Sequence, residues 1–300
     1  MKNTIVILLV IILAGVGIYL FTKKSPPKVD TTTNTTQSES EQTGEIENVV
    51  QENKSESIIG QSVKGRDITA YHYGTGSTEI LLVGGIHGGY SWNTALVAFE
   101  TMDYLKANPN VIPNNVKVTV IPVLNPDGLE KVVGTTGRFT EADVSSSQII
   151  VVSGRFNANK VDLNRNFDCD WQSTGVWQTT AVSGGSRAFS EPESSAVRSY
   201  VEAHKLSAVV VWYSSAGGIY ASKCDGGIMP QTSTIMNIYA KASGYPAYES
   251  FDFYETTGDL VNWLAKKKIP AISVLLSNHE DTEWSKNEKG LQALLQHYAK

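Results

Sequence analysis

The chain has 300 residues, 41% of them hydrophobic, enough to bury one substantial core without disulfide or metal staples. A formal net charge of −5 excludes the basic surface that a nucleic-acid partner requires. Two cysteines, Cys169 and Cys224, provide neither a disulfide framework nor a structural zinc site.

Residues 5–21 form an almost unbroken apolar run, preceded by Met1-Lys2-Asn3 and followed by Lys23-Lys24. The run is just long enough to span a bilayer, and no small-x-small cleavage site follows it. Residues 1–25 therefore read as an uncleaved membrane anchor, with a cleaved signal peptide as the alternative. Lys23, Lys24 and Lys28 outnumber Lys2, so charge alone does not orient it. Residues 26–57 are rich in Thr, Ser, Gln, Glu and Asn, the composition of a solvated tether too polar to fold. A tether after an N-terminal anchor points to a domain, residues 58–300, carried on the extracytoplasmic side of the cell membrane.

Within that domain, residues 59–66 and 68–73 read as a strand pair with a glycine turn. Further strands are expected at 80–83, 116–123, 208–212 and 272–276, continuous apolar runs suited to a sheet covered on both faces. Helices are expected at 92–105, 191–204, 233–242, 258–267 and 289–298. The second carries a capping-box pattern, with Ser190 as N-cap, Pro192 in the first turn and Glu193 three residues on. Strands alternating with helices predict an α/β fold: a three-layer α/β/α domain with a mixed central sheet. Residues 135–152 show little helix signal and read as a surface insertion.

Six stretches carry candidate chemistry. The first is Gly84-Gly85-Ile86-His87-Gly88-Gly89-Tyr90-Ser91-Trp92-Asn93-Thr94, which places His87 where a strand runs into a tight loop. Ligands in α/β sheets sit at the carboxyl ends of strands, although an isolated His there more often merely caps the loop. Asn125-Pro126-Asp127-Gly128 follows the 116–123 strand and, taken alone, is a turn. The most specific stretch runs from Arg155 through Asp162-Leu163-Asn164-Arg165-Asn166-Phe167. The others are Trp212-Tyr213-Ser214-Ser215-Ala216-Gly217-Gly218, the segment from Tyr254 to Trp263, and Ile272-Ser273-Val274-Leu275-Leu276-Ser277-Asn278-His279.

In this order these stretches resemble the zinc carboxypeptidases, and the resemblance covers nearly all of residues 58–300. It implies that Asn164 and Arg165 grip a substrate's terminal carboxylate, a task suited to a planar guanidinium. It implies that Arg155, with Arg138 as the alternative, polarises the scissile carbonyl. Tyr254 corresponds to a mobile capping tyrosine. Val261 corresponds to the specificity position and would favour an apolar terminal side chain. Asn125 to Gly128 would be structural.

The resemblance also exposes three departures. The zinc Glu position holds Ser91, the second zinc His position holds Ser214, and the general-base Glu position holds Leu275, or Leu276 if the register slips by one. His87 is the only zinc ligand retained. The next carboxylate after Ser91 is Glu100, about 13 Å further along a helix and out of reach of a shared metal. One His does not hold a hydrolytic zinc, for which about three protein ligands are needed. Loss of the base alone costs ~10²–10⁴ in rate. The expectation is a membrane-tethered, catalytically inactive member of the family that binds the carboxyl ends of peptides or peptidoglycan stems, with zinc absent or weakly held. The alternatives are an active metallocarboxypeptidase recruiting metal through His87, His279 and the following Glu280, Asp281 and Glu283, or a regulatory or structural partner of an active relative. For Cys169 and Cys224, a disulfide and a pair of buried free thiols stay equally open.

Overall fold

The computed structural model describes residues 55–300, so the anchor and most of the tether expected from the sequence lie outside the described residues. Among the described residues no helix is long and apolar enough to cross a membrane.

An eight-stranded mixed sheet organises the domain. Its strands are β1 (Glu56–Gln61), β2 (Asp67–Tyr73), β3 (Thr78–Val83), β4 (Val116–Ile121), β7 (Leu206–Ser214), β8 (Gly218–Ala221), β9 (Ala247–Tyr248) and β10 (Ala271–Leu276). Their spatial order is β1-β2-β4-β3-β7-β10-β8-β9. β4, β3, β7 and β10 run parallel; β2 is antiparallel to β4 and β1 to β2 at one edge, and at the other β8 is antiparallel to β10 with β9 parallel to β8. A separate hairpin joins β5 (Thr174–Trp177) and β6 (Thr180–Ser183). The helices are α1 (Trp92–Ala107), α2 (Pro126–Val133), α3 (Gln148–Ser153), α4 (Pro192–Ala203), α5 (Pro230–Ser243), α6 (Leu260–Lys266) and α7 (Trp284–Tyr298).

The continuous apolar runs follow from burial of both sheet faces. Successive strand residues point to opposite sides. Ile80, Leu82, Val210, Trp212, Val274 and Leu276 pack with α1, α5 and α7, whereas Leu81, Val83, Val209, Val211, Tyr213 and Leu275 pack with α4 and α6. The layered α/β/α fold expected from the sequence is the one observed.

Three local expectations are corrected. Asn125 to Gly128 is a helix start: Asn125 Oδ1 accepts from Gly128 N at 2.9 Å, and Pro126 opens α2. Asn as cap and Pro at the first helical position are favoured because both suit groups that have no intrahelical partner. The capping box at α4 does not form. Glu191 is the N-cap, Ser190 Oγ bonds to Glu191, and Glu193 turns away to accept from Val63 N and Asn157. Residues 135–152 are not wholly irregular, because the short helix α3 begins at Gln148 and exposes Ile149.

Candidate functional site

The parallel centre of the sheet assembles the site. β3, β7 and β10 are neighbours running in one direction, so their carboxyl ends lie side by side. β3 leads into the His87 loop, which turns through Gly85 and Gly88 at positive φ. β7 ends at Ser214, and in β10 Leu275 is paired with Tyr213 and Leu276 with Ser214. At their end opens a cavity of about 520 Å³, whose walls include His87, Tyr90, Arg155, Asn164, Arg165, Trp177, Tyr213, Ser214, Tyr254, Val261, Leu275 and His279.

Most of the residues singled out in the sequence are therefore brought together. Leu275 faces the cavity while Leu276 belongs to the opposite core, so of these two leucines only Leu275 stands in the site. Arg138 is not in the site. It lies on the surface, donates to both carboxylate oxygens of Asp103 at 2.7 Å, and stacks over Phe99. Ser91 is buried immediately before α1 and does not line the cavity; its hydroxyl finds no partner.

Asp162 is a centre that the sequence reading passed over. It is wholly buried, accepts from Arg155 Nε at 2.9 Å and from Asn164 N at 3.1 Å, and lies 2.7 Å from Arg155 Nη2 in an ion pair. Burial alone would raise its carboxyl, but the charge of Arg155, with the adjacent His87 ring and the charge of Arg165, outweighs burial and holds it far below the ordinary carboxylate range. Arg155 is itself buried, stacked 4.4 Å from the Trp177 ring and 5.6 Å from that of Tyr90. His87 Nε2 approaches Asp162 Oδ1 to 3.3 Å without hydrogen-bond alignment, and neither ring nitrogen has a partner. Burial, reinforced by Arg155, pushes the imidazole down to about 4 against the opposing pull of Asp162.

That shift has a testable sign. His87 is neutral in the fold, and an unfolded histidine takes up a proton below pH ~6.5, so stability is complete above that pH and declines toward pH 4. The loss from His87 amounts to about 3 kcal/mol, and a His87→Phe variant should lack that part of the pH slope in urea unfolding.

Asn164 and Arg165 are held in a one-turn 3-10 helix, Leu163–Arg165. Asn164 Nδ2 donates to Asp259 at 2.8 Å, and its Oδ1 accepts from Tyr213 and from Leu260 N, both at 3.1 Å. Arg165 is 1% exposed. Nε and Nη2 donate to Val176 O and Nη1 to Asn164 O, leaving one N–H on each Nη. Among the described residues no carboxylate lies within ion-pair distance of it, and the Tyr254 ring sits 5.8 Å from its guanidinium carbon. Gly258, at positive φ, passes so close to the Arg165 backbone that any Cβ would collide.

Cys169 and Cys224 form a disulfide with Cα atoms 6.1 Å apart, closing the open choice between disulfide and free thiols. It ties the segment after Arg165 to the loop after β8, and a cross-link over this separation of 55 residues is worth roughly 2–4 kcal/mol.

The donor set does not fit a resident hydrolytic zinc. His87 is the one imidazole at the expected ligand positions, and the others offer the hydroxyls of Ser91 and Ser214, poor zinc ligands beside imidazole, carboxylate or thiolate. Among the described residues, only Cys169, Asp170 and Cys224 bring three potential ligand atoms within 4.8 Å of one another, and the two sulfurs are already bonded. The alternative set drawn from the following loop is not assembled either. Glu283 is occupied by Tyr245, Ser277 and Lys286, and Asp281 accepts from Asn278.

Tyr90, Trp177, Tyr213 and Asp259 also escaped the sequence reading. Trp177 lies on the β5–β6 hairpin, whose strands of four residues each are too short to show a period. Asp162 and Tyr213 lay within stretches already singled out, and their signal was adjacency to the residues chosen.

Solved structures share the architecture. A murein-tripeptide amidase MpaA from Escherichia coli O157 aligns with a TM-score of 0.57 and 19% identity, over 82% of this chain and 94% of that one. A carboxypeptidase A from Helicoverpa armigera aligns at 0.61 and 18%, over 81% and 69%. At these identities the likeness is one of fold. Among curated relatives, Carboxypeptidase Z of Rattus norvegicus is 29% identical over 122 residues, 36% of this chain and 17% of that protein's length. The gamma-D-glutamyl-L-diamino acid endopeptidase 1 of Lysinibacillus sphaericus is 22% identical over 218 residues, 65% of this chain and 54% of that one. The chain thus spans less than two thirds of either curated relative. A profile of the zinc carboxypeptidase family matches residues 46–289, most of the chain, and with the fold and the ordered motifs this establishes that the chain belongs to the zinc carboxypeptidase family.

Proposed function

We propose that this protein binds the free carboxyl end of a peptide or peptidoglycan stem and does not hydrolyse it. The observation that carries the reading is Arg165: a buried guanidinium on the cavity wall that, among the described residues, has no carboxylate in ion-pair contact and keeps one N–H on each Nη without an acceptor. Asp162 and Asp259 balance this charge only from beyond contact distance, and an anionic ligand entering the cavity would pair with it directly. Tyr254 stands over the same guanidinium, and Val261 and Leu275 offer apolar wall to the terminal side chain. The hydrolytic half has no equivalent support, since a leucine moves no proton and two serines do not complete a zinc site.

The test is calorimetric titration of the full-length protein with an N-acetylated peptide and with its C-terminal amide. The acid should bind more tightly by about 1.5–3 kcal/mol, the usual worth of hydrogen bonds to a charged group. Arg165→Ala should remove that preference. Equal binding of acid and amide by the unaltered protein would leave the pocket without this role.

The same proposal places the domain outside the cytoplasmic membrane on a single N-terminal anchor. The apolar run at residues 5–21 and the disulfide support it. The protein should fractionate with membranes, and protease added outside the cell should release a soluble domain by cutting within residues 31–57. A soluble product lacking the first residues would show a cleaved signal instead.

A further inference from the structure

We propose that His279 is the acceptor that reads an N–H of the bound peptide, held in the required tautomer by a relay through Ser214 and Asn93. The inference rests on the reading of the cavity as a site for peptide carboxyl ends.

The relay follows from counting hydrogens. Asn93 Nδ2 donates to two backbone carbonyls, Asn278 O at 2.9 Å and Asp281 O at 3.0 Å, so both of its hydrogens are spent and its orientation is fixed. A flipped amide would set its oxygen against both carbonyls. Asn93 Oδ1 therefore faces Ser214 Oγ, 3.1 Å away, and is satisfied only if the hydroxyl donates to it. Ser214 has one hydrogen. Its 2.9 Å contact with His279 Nδ1 must then be donated by the imidazole. A neutral imidazole carrying its proton on Nδ1 presents a lone pair on Nε2. Among the described residues Nε2 has no hydrogen-bond partner, and it is not among the buried polar atoms left unsatisfied.

The surroundings indicate what that lone pair meets. The Tyr90 ring packs against His279 at 4.5 Å and also lies 5.6 Å from the Arg155 guanidinium. Both groups line the cavity, and Arg155 commits Nε and Nη2 to Asp162, leaving Nη1 outside that pair. One aromatic ring thus separates a donor from an acceptor. A peptide group has the complementary pair, a carbonyl for Arg155 and an N–H for His279. Ser214 acquires a role in this arrangement: it transmits the orientation of Asn93 to the imidazole.

Two measurements on the full-length protein test this. Long-range ¹H–¹⁵N correlation at pH 7, with His279 assigned through His279→Gln, should show the Nδ1–H tautomer. Ser214→Ala should return the ring to the Nε2–H form that imidazoles prefer in water. An Nε2–H ring in the unaltered protein overturns the relay whatever the ligand is. Next, N-acetyl-Ala-Ala should bind roughly three- to tenfold more tightly than its analogue methylated on the terminal amide nitrogen. His279→Phe, which keeps an aromatic ring against Tyr90, should bind the two alike while still preferring acid over C-terminal amide. Discrimination that survives in His279→Phe, or is absent from the unaltered protein, overturns the role of His279 and leaves the carboxylate site standing. Loss of the acid preference in the unaltered protein removes both.

Discussion

Replacing Asp162 with alanine is expected to cost about 3–5 kcal/mol of folding stability, as when one partner of a buried ion pair is removed. The carboxylate is wholly buried and is hydrogen-bonded and ion-paired to Arg155, which is itself 2% exposed. Without it a guanidinium stays buried beside His87 and His279 with no counter-charge. Asp162→Asn should fail nearly as badly, because it keeps the shape and loses the charge. Because the folded carboxyl lies far below its ordinary range, its contribution is present above pH ~4 and declines only as the solution grows more acidic. Replacing the pair together, Arg155→Met with Asp162→Leu, should recover much of the loss, since an apolar pair of similar volume carries no desolvation cost. Guanidinium-induced unfolding measures all three. A loss below about 1 kcal/mol for Asp162→Ala would mean that Arg155 has another counter-ion.

A gain is expected from restoring the three departures together. Ser91→Glu, Ser214→His and Leu275→Glu should create a zinc site around His87 and some release of C-terminal residues from peptides. Leu275→Glu alone should destabilise the domain, because Leu275 is 8% exposed and a carboxylate there would have no metal to neutralise it. With the other two changes present, zinc at 100 times its Kd should return about 2.7 kcal/mol, visible as a rise in Tm without any substrate. No single reversion should suffice, since groups that act as one catalytic unit contribute non-additively. A triple variant with no zinc-dependent shift would mean that these positions do not surround one metal.

The layered fold was legible because each central strand is apolar on both faces, and because parallel strands separated by helices admit few topologies. Arg165 and Tyr254 were legible because they sit in long, ordered motifs. Asp162 was not, although it stands two residues before Asn164, because a single acid in a polar stretch reads as surface until its burial is known. Trp177, which stacks on Arg155, and Val176, whose carbonyl accepts from Arg165, lie on a hairpin whose four-residue strands are too short to predict. The role of Asn125 was hidden because Asn-Pro-Asp-Gly serves equally as a turn and as a helix start, and only the bond to Gly128 N separates the two. His279 entered the sequence reading only as an alternative metal ligand, ahead of the acidic residues that follow it. Its contact with Ser214, 65 residues away in sequence and 2.9 Å from its ring, could be seen only in the fold.

The central claim is that this family member keeps the carboxylate-binding half of its site and needs no metal to use it. Calorimetric titration of the acid and amide forms of one N-acetylated peptide, into protein freed of metal by a chelator, tests that claim directly. The account predicts that the preference for the acid, about 1.5–3 kcal/mol, is undiminished by the chelator and unchanged when zinc is added back. A preference that disappears with the chelator and returns with zinc would contradict it.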